Sequence, residues 1–146
     1  MGPNEEIWVY YMHLQNRTPV YLVDNRTYLD RKAIYGEEDD SKRFLLFSLA
    51  VMETLKMVNW KPDILHCHDW HSGVIPALLK VAYRADPYYT QCASVFTIHN
   101  LAYQGWFDDS FATSAGLQDY MPPYDDPLRG KTYSTVSYTH LRAHET

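Results

Sequence analysis

The sequence predicts an α/β fold, a parallel sheet with an added β-hairpin, and three observations carry that expectation. Two short apolar runs, Asp63-Ile64-Leu65 and Ser94-Val95-Phe96-Thr97-Ile98, are rich in β-branched or bulky side chains and read as central strands of a parallel sheet. Residues 72–83 between them have helical composition, so the order is strand, helix, strand. Upstream, residues 7–12 and 20–23 are strand-like and flank the polar Gln15-Asn16-Arg17-Thr18-Pro19, which reads as a hairpin connection between antiparallel strands.

The remaining elements follow in chain order. Residues 24–40 turn polar, and Gly36 followed by Glu37-Glu38-Asp39-Asp40 reads as a solvated loop leading into a helix with an acidic start. Phe44, Phe47, Val51, Leu55 and Val58 recur at helical spacing over 41–59, so this helix should lay one apolar face on the sheet. In the crossover helix Ser72 is the expected N-cap, and Pro76 falls in the first turn, where amides lack intrahelical partners anyway. Residues 108–116 read as a short helix and 121–127 as irregular.

Composition narrows the function classes. A chain of 146 residues, 46% hydrophobic and 21% charged, can bury one ordinary core. A net charge of −5 without a Lys/Arg cluster argues against nucleic acid as partner. No apolar run approaches a membrane span and the N-terminus lacks a signal-peptide pattern, so a soluble intracellular protein is expected. Two cysteines, Cys67 and Cys92, do not make a disulfide framework.

Both apolar runs lead into imidazoles. The first ends in His66-Cys67-His68-Asp69-Trp70-His71, the second in His99-Asn100. A right-handed crossover brings both strand ends to one edge of the sheet, where open α/β sheets bind ligands, so these residues should line one crevice. Strand alternation puts His66 and His68 on one face and Cys67 on the other, and both histidines read as hydrogen-bonded core residues. Asp69 suits two roles, steadying positive charge at an anomeric carbon or accepting from nearby amides. Trp70 suits packing or stacking on a sugar ring. His71 and His99 can donate to a hydroxyl or a phosphate. Asn100, Tyr103 and Gln104 fit sugar recognition and turn-making equally, and Gly105 serves the backbone.

The stretch Pro62-Asp63-Ile64-Leu65-His66-Cys67-His68-Asp69-Trp70-His71-Ser72-Gly73, with Val95-Phe96-Thr97-Ile98-His99-Asn100-Leu101-Ala102-Tyr103-Gln104-Gly105, resembles the N-terminal domain of bacterial glycogen synthases and plant starch synthases. Val20-Tyr21-Leu22-Val23-Asp24-Asn25, Tyr35-Gly36 and Arg43-Phe44 fit the same family, in its order, over residues 7–133. The resemblance implies an incomplete Rossmann-like N-terminal domain of a two-domain, type B glycosyltransferase. It implies a retaining enzyme that passes glucose from ADP-glucose, with UDP-glucose as the alternative donor, to the non-reducing end of an α-1,4-glucan. His99 and Asp69 would then be catalytic, and Trp70, His71, Asn100, Tyr103 and Gln104 substrate-binding, with no metal or cofactor. The location would be the cytoplasm, or the plastid in a plant.

Residues 1–134 are expected to be the partial catalytic domain. From Val136 onward the chain resembles the conceptual translation of a sequencing adapter, so 135–146 are set apart as a non-native tail. The family's Lys-x-Gly-Gly loop and second domain have no counterpart, so the chain alone should be inactive. Two other readings compete. His66, His68, Asp69 and His71 echo the metal loop of a metal-dependent hydrolase, although Asp69 stands one place too early for that motif. The third reading is a non-catalytic glucan-binding module, which would bind sugar without transferring it.

Overall fold

The computed structural model describes residues 5–120, 124–126 and 130–136. The expected hairpin forms: β1 (Trp8–His13) and β2 (Pro19–Asp24) pair antiparallel, with Trp8 opposite Asp24 and His13 opposite Pro19. A polar segment then leads to α1 (Asp40–Met57). β3 (Ile64–His68) precedes a single-turn helix, α2 (Asp69–Ser72), and α3 (Ile75–Lys80). β4 (Ala93–Thr97) lies parallel to β3, with His66 opposite Val95 and His68 opposite Thr97. After it come β5 (Trp106–Phe107), α4 (Asp109–Ser114), β6 (Tyr124–Asp126) and β7 (Gly130–Ser134).

The α/β class and the hairpin hold, and the strand–helix–strand crossover is present. Four local expectations change. Among the described residues β3 and β4 form a two-stranded sheet rather than the middle of a larger one, and the hairpin is a separate sheet. The crossover helix is split in two. Ser72 ends α2 instead of capping a helix: its hydroxyl turns back to accept the His68 N–H and donate to the His68 carbonyl, both at 2.8 Å, and Val74 takes the cap position of α3. Residues 124–126 form a strand, because β7 supplies the partner that makes a third small sheet, ordered β5-β7-β6. The rest of the segment expected to be irregular lies outside the described residues.

The fourth change concerns α1. Phe44, Phe47, Val51, Leu55 and Val58 are half-buried, while Leu45, Leu46, Ala50 and Met52 are buried. The helix is covered on more than one side. Leu45 packs with Leu78, Phe111, Leu117 and Tyr133, whereas Met52, Val51 and Leu55 join Cys67, Leu65 and Phe96 over the inner face of β3 and β4. A stripe read from one period cannot anticipate a second covering layer. Asp108 caps α4 through the Ser110 amide at 2.9 Å, as the short-helix expectation requires.

Candidate functional site

The two imidazole-bearing strand ends meet. Asp69 follows β3 with φ +54°, a left-handed conformation that costs an L-residue with a β-carbon about 1–2 kcal/mol. That turn carries its carboxylate across to the end of β4, where Oδ1 accepts the His99 N–H at 2.7 Å and the Asn100 N–H at 3.4 Å. The amide-accepting reading of Asp69 is thereby realised. One carboxylate ties together two strand ends thirty residues apart.

His66 and His68 are not core residues. They share one face of β3, as alternation requires, but both are exposed while Cys67 is buried on the other side. Burial of Cys67 pushes its thiol up to about 11, which keeps it protonated at neutral pH. His66 Nε2 lies 2.8 Å from Thr97 Oγ1, and His68 Nδ1 lies 3.0 Å from His99 Nε2. Sequence reasoning missed this link from His68 to His99. The signal for it was present in the i, i+2 alternation, which sends both β3 histidines to the face opposite the core.

Trp70 and His71 point into packing. Trp70 is 7% exposed, its ring 4.8 Å from Phe44, 6.0 Å from Tyr35 and 5.9 Å from Phe107. His71 sits 4.7 Å from Phe44 and 5.5 Å from Tyr35, and its Nε2 is buried without a partner among the described residues. Burial lowers the pKa of His71, outweighing the opposing fields of Asp69 and Asp40. The unfolded chain therefore takes up a proton at this residue at higher pH than the folded chain does. Stability from His71 is complete above about pH 6.5, the ordinary imidazole value, and falls as the pH drops below it. The urea midpoint is expected to fall between pH 7.5 and pH 5 by more in wild type than in His71→Gln; equal falls would remove His71 as the cause.

A cleft of about 570 Å³ opens beside this layer, lined by Tyr35, Gly36, Glu37, Trp70, Tyr103 and Trp106 among others. Gln104 also lines it, and its Nε2 donates to the Leu101 carbonyl at 3.2 Å. Tyr103 is 51% exposed, with its ring 5.7 Å from that of Tyr35. Asn100 makes a turn, its Oδ1 accepting the Ala102 N–H at 3.0 Å. Gly105 serves the backbone as expected: at φ +61°, a β-carbon there would lie 2.8 Å from Thr135 Oγ1 and 2.9 Å from Trp70. Thr135 and Val136 are buried, and the amide of Thr135 donates to the Gly105 carbonyl at 3.3 Å; the later part of the segment set apart as a tail lies outside the described residues.

The structure thus forms two neighbouring groups from the predicted residues. Asp69, His99 and Asn100 gather at the sheet edge, and Trp70, Tyr103 and Gln104 line the cleft, with His71 packed behind Trp70 at 4.1 Å between ring centres. Tyr35, Glu37 and Trp106 of the cleft were not singled out as site residues. Among the described residues no group of three His, Cys, Asp or Glu side chains is placed to hold a metal ion. The hydrolase motif is not assembled, since His71 is packed among aromatic rings while His66 and His68 are exposed. Among the described residues no helix is long and apolar enough to cross a membrane.

Comparisons with known proteins identify the family. Residues 2–140 match the family model described as the starch synthase catalytic domain. The chain is 43% identical over 119 residues to a glycogen synthase of Desulforudis audaxviator, covering 81% of this chain and 24% of that protein. It is 41% identical over 120 residues to a glycogen synthase of Moorella thermoacetica, covering 82% of this chain and 24% of the relative. Among solved structures it resembles the catalytic domain of starch synthase IV from Arabidopsis thaliana bound to ADP and acarbose. That match has a TM-score of 0.79 at 29% identity and covers 90% of this chain and 28% of the other. The chain therefore spans about a quarter of the length of the curated relatives it matches.

Proposed function

The chain belongs to the starch synthase catalytic domain family, and on that premise we propose that it forms the part of a retaining glucosyltransferase that carries His99 and Asp69, at a sheet edge beside the aromatic cleft. The enzyme moves glucose from ADP-glucose to the non-reducing end of an α-1,4-glucan, in glycogen or starch synthesis. The reading carries a cytoplasmic location with it. The observation that supports it most directly is the Asp69 clamp, which sets His99 and Asn100 at the sheet edge beside an aromatic cleft.

The chemistry follows from those positions. Glucosyl transfer passes through a state with positive charge at the anomeric carbon, and a carboxylate already fixed by amides stabilises that charge without reorganising. Asp69 is held in that way. His99, with its backbone fixed by Asp69, presents an imidazole to the sugar as a hydrogen-bond donor or acceptor. Tyr103 and Gln104 offer the apolar face and amide that a glucan needs, the packed Trp70 lines the cleft, and Asn100 and His71 shape the loop and the layer behind it. No metal or cofactor enters the proposed reaction.

The test uses the full-length enzyme that carries this segment. Labelled glucose should pass from ADP-glucose to glycogen, and absence of transfer from that donor would overturn the proposal. Tyr103→Ala should raise the KM for the glucan roughly tenfold, the loss of about 1.4 kcal/mol expected for an aromatic face, and leave kcat within about twofold. An unchanged acceptor KM would remove Tyr103 from the sugar site.

A further inference from the structure

We infer that His68 is a positioning residue for His99, holding the imidazole that the proposed transfer uses in one orientation. The inference rests on the reading of His99 given above. β3 grips His99 at two points: Asp69 Oδ1 holds the backbone N–H at 2.7 Å, and His68 Nδ1 holds ring Nε2 at 3.0 Å. The first contact fixes where the residue sits. It leaves the ring free to turn about its side-chain torsions. The second contact removes that freedom.

A bond between two ring nitrogens requires one to carry the proton and the other to offer its lone pair, so it selects complementary tautomers of both rings. His68 is itself braced. Its ring lies 4.1 Å, centre to centre, from that of His66, whose Nε2 lies 2.8 Å from Thr97 Oγ1 on the neighbouring strand. The rings of His68 and His99 are also near parallel, 21° apart with centres 5.2 Å apart. The series Thr97, His66, His68, His99 runs across the exposed face of β3 and β4 and ends at the residue beside the Asp69 clamp. Alternate positions on β3 supply the two inner members, which accounts for the His-x-His spacing.

The experiment compares His68→Phe, which keeps a ring but loses both nitrogens, with His68→Asn, whose amide reaches the place of Nδ1. Because His68 is exposed, neither change empties a core position. In the full-length enzyme His68→Phe should lower kcat about tenfold to a hundredfold, the scale of a misaligned reacting group, with KM for the donor within about threefold. His68→Asn should recover most of that loss. With histidine rings labelled by ¹⁵N, the Nε2 signal of His99 should show a hydrogen-bonded nitrogen in wild type and in His68→Asn, and lose that bond in His68→Phe. Wild-type kcat and unchanged His99 signals in His68→Phe would overturn the inference, as would a loss that His68→Asn does not recover. A fully active His99→Ala would instead overturn the reading of the site. The ring signals would still report whether His68 holds His99.

Discussion

His99→Ala in the full-length enzyme is expected to cut kcat by about a hundredfold or more while KM for ADP-glucose stays within a few-fold, the range for loss of a positioned imidazole. The structure gives the reason for that split. The backbone amide of His99 is held by Asp69 whatever the side chain is, so the strand end and the loop through Asn100 keep their course in the variant. The groups lining the cleft, Tyr35, Trp70, Tyr103 and Gln104, are likewise untouched. Only the ring is lost, and with it the contact to His68 Nδ1. Steady-state kinetics with both substrates varied provide the check. A variant with wild-type kcat would make His99 a structural residue.

Arg43→Met is expected to destabilise the fold by about 3–5 kcal/mol, the cost of leaving a buried charge without its partner. Arg43 is 3% exposed, and its guanidinium pairs with the carboxylate of Asp40 one turn back on α1. It also donates through Nε to the Tyr28 carbonyl at 2.8 Å and through Nη2 to the Ile34 carbonyl at 3.2 Å. Asp40 accepts the Gly36 N–H at 2.6 Å as well. One buried fork therefore binds the polar segment ahead of α1 to that helix, and this segment carries Tyr35 and Glu37 to the cleft. Lysine should not substitute, because a single ammonium cannot reach two carbonyls and a carboxylate in fixed directions. Urea unfolding monitored by circular dichroism measures the effect. A loss below about 1 kcal/mol, the level of an exposed ion pair, would show that the fork contributes little.

The acidic start of α1 illustrates where local reading stops. Glu37-Glu38-Asp39-Asp40 looks like a solvated run that needs no ligand, and Glu37 and Glu38 are exposed. Asp40 is not, because Arg43 folds over it and both are buried against the preceding turn. Nothing in a charge run says which carboxylate will be covered. Trp70 makes the same point from the apolar side. Its flat ring fits a sugar or a core equally, and the decision for packing came from Phe44, Phe107 and Tyr35, contributed by three separate segments.

What the sequence determined by itself was the hairpin, α1, the β3 and β4 strands with a helical crossover, α4, and the residues at the ends of β3 and β4. Period-two and period-3.6 patterns, with Gly and Pro punctuation, suffice for the hairpin, for α1 and for the β3 and β4 crossover, since burial on one face is written into a local window. They also suffice to deliver Asp69 and His99 to one sheet edge, because parallel strands joined by a crossover must end together. Tertiary structure alone decided what those residues do there. The partner of Asp69 is an amide thirty residues away, the partner of His68 is a ring thirty-one residues away, and the cleft is drawn from the segments around Tyr35, Trp70 and Tyr103. Hydrogen bonds are short-ranged and directional, so their pairing depends on strand register and loop path to within about an ångström, and no local window of the chain contains that information.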